Sequence, residues 1–172
     1  MNIVMPFVLR ERDIINTETG CLTEIEGSVI TNEFIYPHSD VDIRVYCDNP
    51  SNVKKKWSIH TGLTPVCLEC KTDLHSIYVF SYSKKFGTDI IIKFEVTFAP
   101  THVRKKFQEN EKNRSQNINR DKWISEKLKW YKKIEKETEL CVRKNKMREF
   151  MKWKKNEIAK YKIHPLYYKL SK

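Results

Sequence analysis

The chain has 172 residues, 40% of them apolar and 32% charged, with a net charge of +11, and that length suffices for one domain with a buried core. No run approaches the roughly 18 apolar residues of a membrane span, and the start "MNIVMPFVLRERD" has neither the basic opening nor the uninterrupted apolar stretch of a signal peptide. A chain working inside the cell, in cytoplasm, cytoskeleton or nucleus, is therefore expected, and its five irregularly spaced cysteines read as reduced thiols rather than a disulfide framework.

Charge divides the sequence. Residues 1–100 hold 10 Lys and Arg against 13 Asp and Glu, a net of −3, whereas residues 101–172 hold 23 against 9, a net of +14. All four glycines and five of the six prolines fall in the first part, which places turns there and long uninterrupted elements after it. In chain order the first part reads as short strands: "CLTEIEG", "SVITNEFIY", "VDIRVYC", "KWSIH", "PVCLEC", "SIYVFSY" and "DIIIKFEVTF", rich in β-branched and aromatic residues and punctuated by "PHS", "DNPSN", "TG" and "KKFGT". Nothing before Gly27 reads as a helix. After Pro100, "KFQENEKNRSQNINRDKW" is polar, a frayed helix or a linker. From Asp121 to Lys162 there is neither Gly nor Pro, and Trp123, Ile124, Leu128, Trp130, Tyr131 and Ile134, then Met147, Phe150, Met151, Ile158 and Tyr161 recur at helical spacing. One long helix is expected there, or two with a break near "KETELCVRKN", ended by Pro165 before the apolar tail "LYYKL". The expected fold is α+β: an antiparallel β-sandwich over residues 1–100, followed by a basic, mostly helical arm over residues 101–172.

Two family resemblances compete for the first part. The stretch from Leu22 to Cys47, with Val41, Ile43 and Val45 as the inner face of a strand, is similar to the first strands of the calcium- and lipid-binding C-two domain. Gly27, Val29, Phe34 and Val41 resemble, in order, a pattern of the related B-nine domain of ciliary transition-zone proteins. "KWSIHTG" and "FGTDIIIKFEV" extend that likeness over residues 22–98, which implies a sandwich packed into an assembly. Calcium binding is not expected, because "TFAPTHV" offers no acidic loop to partner Asp40. The second resemblance is to polymerase-β-type nucleotidyltransferases and covers residues 27–45. Gly27-Ser28 followed by Asp40 and Asp42 resembles that family's Gly-Ser turn and its two carboxylates one residue apart, which share a face of a strand. The resemblance implies magnesium held against a triphosphate, with the third acid on the strand "IKFEVTFAP", at Glu95 or, less well, Asp89. The family has a helix ahead of the Gly-Ser turn, an apolar residue where this chain has Glu26, and Asp as the usual third acid.

Other constellations point to no chemistry of their own. Cys67 and Cys70 with Cys47 and His60 read as thiols rather than a zinc site. Glu24 and Glu26 facing "KKKW" and "SYSKK" resemble the strands of tunnel-type triphosphatases, but the strands are too few to close a tunnel. His38, His60, His75 and His102 have no Ser or Cys nucleophile to serve. The residues thus lead to a non-catalytic scaffold or adaptor without a cofactor, whose sandwich joins a larger assembly, ciliary on the B-nine resemblance. Its arm would bind an acidic partner through Lys127, Lys129, Lys132, Lys133, Arg143, Lys144, Lys146, Arg148, Lys152, Lys154 and Lys155. That partner is an acidic protein surface, nucleic acid or, peripherally, anionic lipid. The alternatives are a small magnesium-dependent nucleotidyltransferase using Asp40, Asp42 and Glu95, and an RNA-binding component of a ribonucleoprotein.

Overall fold

In this computed structural model, which describes residues 4–65 and 78–160, the chain opens on a helix, α1 (Met5–Thr19). Pro6 sits in its first turn, where a missing N–H costs nothing. Val8, Glu11 and Ile15 recur on one buried face, and left-handed Gly20 closes the helix, its N–H donating to Asn16 O at 2.9 Å. The expectation of strands from the first residue is thereby corrected. Glu11 hides the helical period in the sequence, and it is accommodated inside because Tyr82 OH donates to Oε1 at 2.8 Å and Lys84 Nζ lies 2.5 Å from Oε2.

Four strands follow: β1 (Leu22–Glu26), β2 (Val41–Cys47), β3 (Tyr78–Phe86) and β4 (Ile90–Pro100). Between the second and third lies α2 (Pro50–Thr61), so the expected strand "KWSIH" is helical. Its stop signals were in the sequence: Asn49 Oδ1 accepts the Asn52 N–H at 3.1 Å, Pro50 opens the first turn and Gly62 ends the last. "SVITNEFIY" is likewise no strand but a single 3-10 turn (Gly27–Val29) and irregular chain. "PVCLEC" lies outside the described residues.

The described strands form one mixed sheet in the order β1-β2-β4-β3, with β2 and β4 parallel and both outer pairs antiparallel. Among the described residues this single sheet, with α1 and α2 on one face, stands where an antiparallel sandwich was expected; α+β remains the class. The reason is in the alternation. Val41, Ile43 and Val45 from β2, Phe94, Val96 and Phe98 from β4 and Phe80 from β3 line one face and are fully buried against Val8, Ile15 and Trp57 of the helices. Trp57 meets Phe80 edge-on at 5.0 Å, and its Nε1 donates to Glu18 Oε2 at 2.8 Å, tying α2 to α1. A face covered by helices needs no second sheet.

Helix α3 (Arg104–Asn117) begins on the opposite face. Phe107 is buried there under the Arg44 guanidinium, 3.8 Å from the ring centroid, so the first compact unit runs through Gln108 rather than ending at Pro100. The second unit, Glu109–Lys172, contains α4 (Arg120–Glu135) and α5 (Leu140–Ala159), so the helical part is broken as one of the two expectations had it. Asn119 caps α4, its Oδ1 accepting the Lys122 N–H at 3.0 Å. Trp123 stacks on Trp153 at 5.1 Å and Tyr131 meets Phe150 at 5.3 Å, while Leu128, Met147 and Met151 from the same periodic set stay exposed. Tyr161, Pro165 and "LYYKL" lie outside the described residues. Among the described residues, no helix is long and apolar enough to cross a membrane.

Candidate active site

The sheet face turned away from α1 and α2 carries the polar alternate positions of the same strands. Strand register aligns Glu26 of β1 with Asp42 of β2, Asp42 with Glu95 of β4, and Glu95 with Ser81 of β3, one row across the whole sheet. The flanking residues Val41, Ile43, Phe94 and Val96 point into the core, so these four side chains share the other face. Asp42 and Glu95 are half-buried neighbours on parallel strands, their backbones separated by roughly the 4.8 Å strand spacing.

Gly27 closes this arrangement from β1. Its φ of +70° is left-handed, and a Cβ there would fall 2.9 Å from Asp42 Cγ and closer still to Oδ2. Any other residue would displace the Asp42 carboxylate, so the Gly-Ser turn and the acid are one packing unit. Ser28 and Val29 are buried behind it. Asp40 precedes β2 and is exposed at the edge of the row. Asp89, the weaker candidate, belongs to the hairpin turn: its carbonyl accepts from Tyr36 OH at 3.4 Å and its Oδ2 from Thr88 at 2.8 Å.

Glu26 stands where the resembled motif has an apolar residue, and its surroundings explain it. The Arg44 Nε hydrogen-bonds Glu26 Oε2, Tyr46 OH donates to Oε1 at 2.5 Å, and all three residues are buried. Burial, and then the adjoining Glu26 carboxylate, push the Tyr46 phenol well above its ordinary range, so it stays a donor. In the next strand position Arg104 Nε lies 3.1 Å from both oxygens of Glu24, and that hydrogen bonding raises the guanidinium further. Glu26 is therefore neutralised on its own side of the row. Arg44 and Tyr46 were not selected from the sequence, although the alternation that placed Val41, Ile43 and Val45 inward puts Asp42, Arg44 and Tyr46 together on the other face.

Among the described residues, no three His, Cys, Asp or Glu side chains converge as a closed metal-ligand cluster. Asp40 thus does not complete a cage with Asp42 and Glu95, and a two-carboxylate arrangement fits magnesium, which takes one or two carboxylates and draws the rest of its shell from water and substrate phosphates. The zinc set fares differently: Cys47 is buried in the core, His60 stands exposed on α2, and Cys67 and Cys70 lie outside the described residues. His38 is half-exposed, His102 is exposed, and His75 lies outside the described residues.

The basic residues expected to bind a partner are mostly on solvent faces of α4 and α5: Lys129, Lys132, Lys133, Arg143, Lys144, Arg148, Lys152 and Lys155 are exposed, and Lys154 is partly so. Lys127 is corrected, since only 4% of it is exposed and it has no surface to offer. Lys146 is half-buried and paired with Glu137. No family model matches this chain, and no curated protein and no solved structure matches it either.

Proposed function

We propose that the first unit is a metal-dependent nucleotidyltransferase of polymerase-β type, using Asp42, Glu95 and Asp40 with magnesium. The observation that carries the reading is the contact of the Asp42 carboxylate with Gly27 in the strand row where Glu95 is the next neighbour. Helix α1, ahead of the Gly-Ser turn, supports it too, because the family has a helix at that place. Asp42 and Glu95 would hold the cation, with Asp40, the remaining acid of the resembled motif, exposed just ahead of β2. Magnesium bound there supplies neutralising charge at the α-phosphate and makes an attacking hydroxyl more acidic. Gly27, packed on the Asp42 carboxylate, and the helix-covered opposite face hold the row in place.

Manganese titration followed by electron paramagnetic resonance, with thermal shift in magnesium and each nucleoside triphosphate, tests the reading on wild type, Asp42→Asn and Glu95→Gln. Wild type should bind the metal and gain about 2.7 kcal/mol of stability at a hundredfold excess of ligand over Kd, and both variants should lose it. A wild type that binds neither metal nor nucleotide sinks the proposal.

A second reading attaches to the helical unit, whose 20 Lys and Arg against 9 Asp and Glu leave exposed cations on both long helices. It is the basic arm of the protein and engages an acidic partner, with nucleic acid favoured by the concentration of charge. The affinity of single-stranded RNA for the full chain should then fall steeply with salt. A salt-independent affinity would rule out phosphate contacts.

A further inference from the structure

Beyond the acidic row, the same sheet face changes sign. On β4 the residues preceding Glu95 on its side are Lys93 and Ile91, and β3 sets Ser81 beside Glu95, Ser83 beside Lys93 and Lys85 beside Ile91. Ser81, Ser83, Lys85 and Lys93 are all exposed. Lys84, between them in sequence, turns to the other face and pairs with Glu11. Lys85 and Lys93 have no ion pair among the described residues. Two free ammonium groups and two hydroxyls therefore stand in adjoining rows, the nearer lysine one row, roughly 7 Å along the strand, from Glu95.

An acidic row that abuts a strip of free cations suits a ligand with several linked phosphates. The end that shares a cation with the carboxylates lies over Asp42 and Glu95, and the phosphates beyond it need positive partners of their own. We infer that Lys93 and Lys85, with the Ser81 and Ser83 hydroxyls, form the polyphosphate-binding strip of this site and take the distal phosphates of a nucleoside triphosphate. This rests on the transferase reading for the ligand class, while the strip itself rests on the β3–β4 register. Lys93 and Lys85 are binding residues here; no bond is made or broken at either.

The test compares ATP with AMP, each with magnesium, on the full chain as wild type, Lys93→Ala, Lys93→Arg and Lys85→Ala/Lys93→Ala, with manganese affinity measured separately. Loss of one charge-assisted contact should weaken ATP about tenfold in Lys93→Ala and further in the double variant. AMP and manganese should be unchanged, and arginine should restore most of the affinity. Equal weakening of ATP and AMP, no weakening, or tighter binding of both metal and nucleotide would overturn the inference, the last because the lysines would then only balance the acids. Single-stranded RNA losing affinity in these variants while ATP does not would overturn it in favour of a backbone contact. If wild type binds no manganese, the transferase reading fails by itself, and an ATP affinity that still depends on Lys93 upholds the strip.

Discussion

Glu26 with Arg44 in the sheet unit and Glu126 with Lys129 in the helical unit are both carboxylate–cation pairs. In the first the side chains are 9% and 8% exposed, in the second 36% and 68%. The units can treat the same chemistry so differently because of their charge balance. Residues 1–108 hold 13 basic and 13 acidic side chains, whereas residues 109–172 hold 20 and 9. Where every charge has a counterpart, pairs can be buried and arranged in rows. An excess of one sign stays mostly in water, Lys127 being the buried exception. The neutral unit is thus where carboxylate–cation pairs are buried, and the basic unit is where cations stay on the surface.

The sharpest way to break that comparison is to remove one cation from each unit. Arg44→Ala strands the buried Glu26 carboxylate and should cost about 3–5 kcal/mol in urea unfolding, whereas Lys129→Ala should cost no more than about 1 kcal/mol. Equal costs would mean the buried pair is not special. Next in size, Gly27→Ala puts a Cβ against Asp42 at a left-handed position and should cost about 1–3 kcal/mol. Manganese binding should be lost with it even where the protein remains folded by circular dichroism; retained binding would separate the turn from the acid. The smallest effect is on reactivity alone. Burial pushes the Cys47 thiol well above its usual range, while Cys141 is exposed on α5. Mild alkylation mapped by mass spectrometry should label Cys141 in native protein and reach Cys47 only after denaturation. Early labelling of Cys47 would show that the sheet unit opens more readily than its core implies.

Much of the candidate site could be read before the fold. Gly27, Asp40, Asp42 and Glu95 were nameable through the resemblance to nucleotidyltransferases, whose Gly-Ser turn, acid pair and third acid they match in order. Lys127 shows the limit in the other direction: within a lysine-rich helix nothing local distinguishes the one that faces inward. The amino-terminal helix was missed because one of its inward positions is Glu11, an acid made acceptable only by Tyr82 and Lys84, more than sixty residues away. "KWSIH" read as a strand because Trp57 is the one buried side chain of α2, too little for a period to register.

Composition and spacing by themselves determined the change of character near Pro100, the reduced state of the thiols as an expectation and the helical periodicity of the second half. Those properties depend on neighbours a few positions apart. Tertiary structure alone decided that the described strands form one sheet covered on one face by α1 and α2, that β2 and β4 run parallel so that Asp42 neighbours Glu95, and that Arg44 and Tyr46 neutralise Glu26. Each of these is a meeting of residues distant in the chain, which local preference does not encode and which packing and charge pairing select.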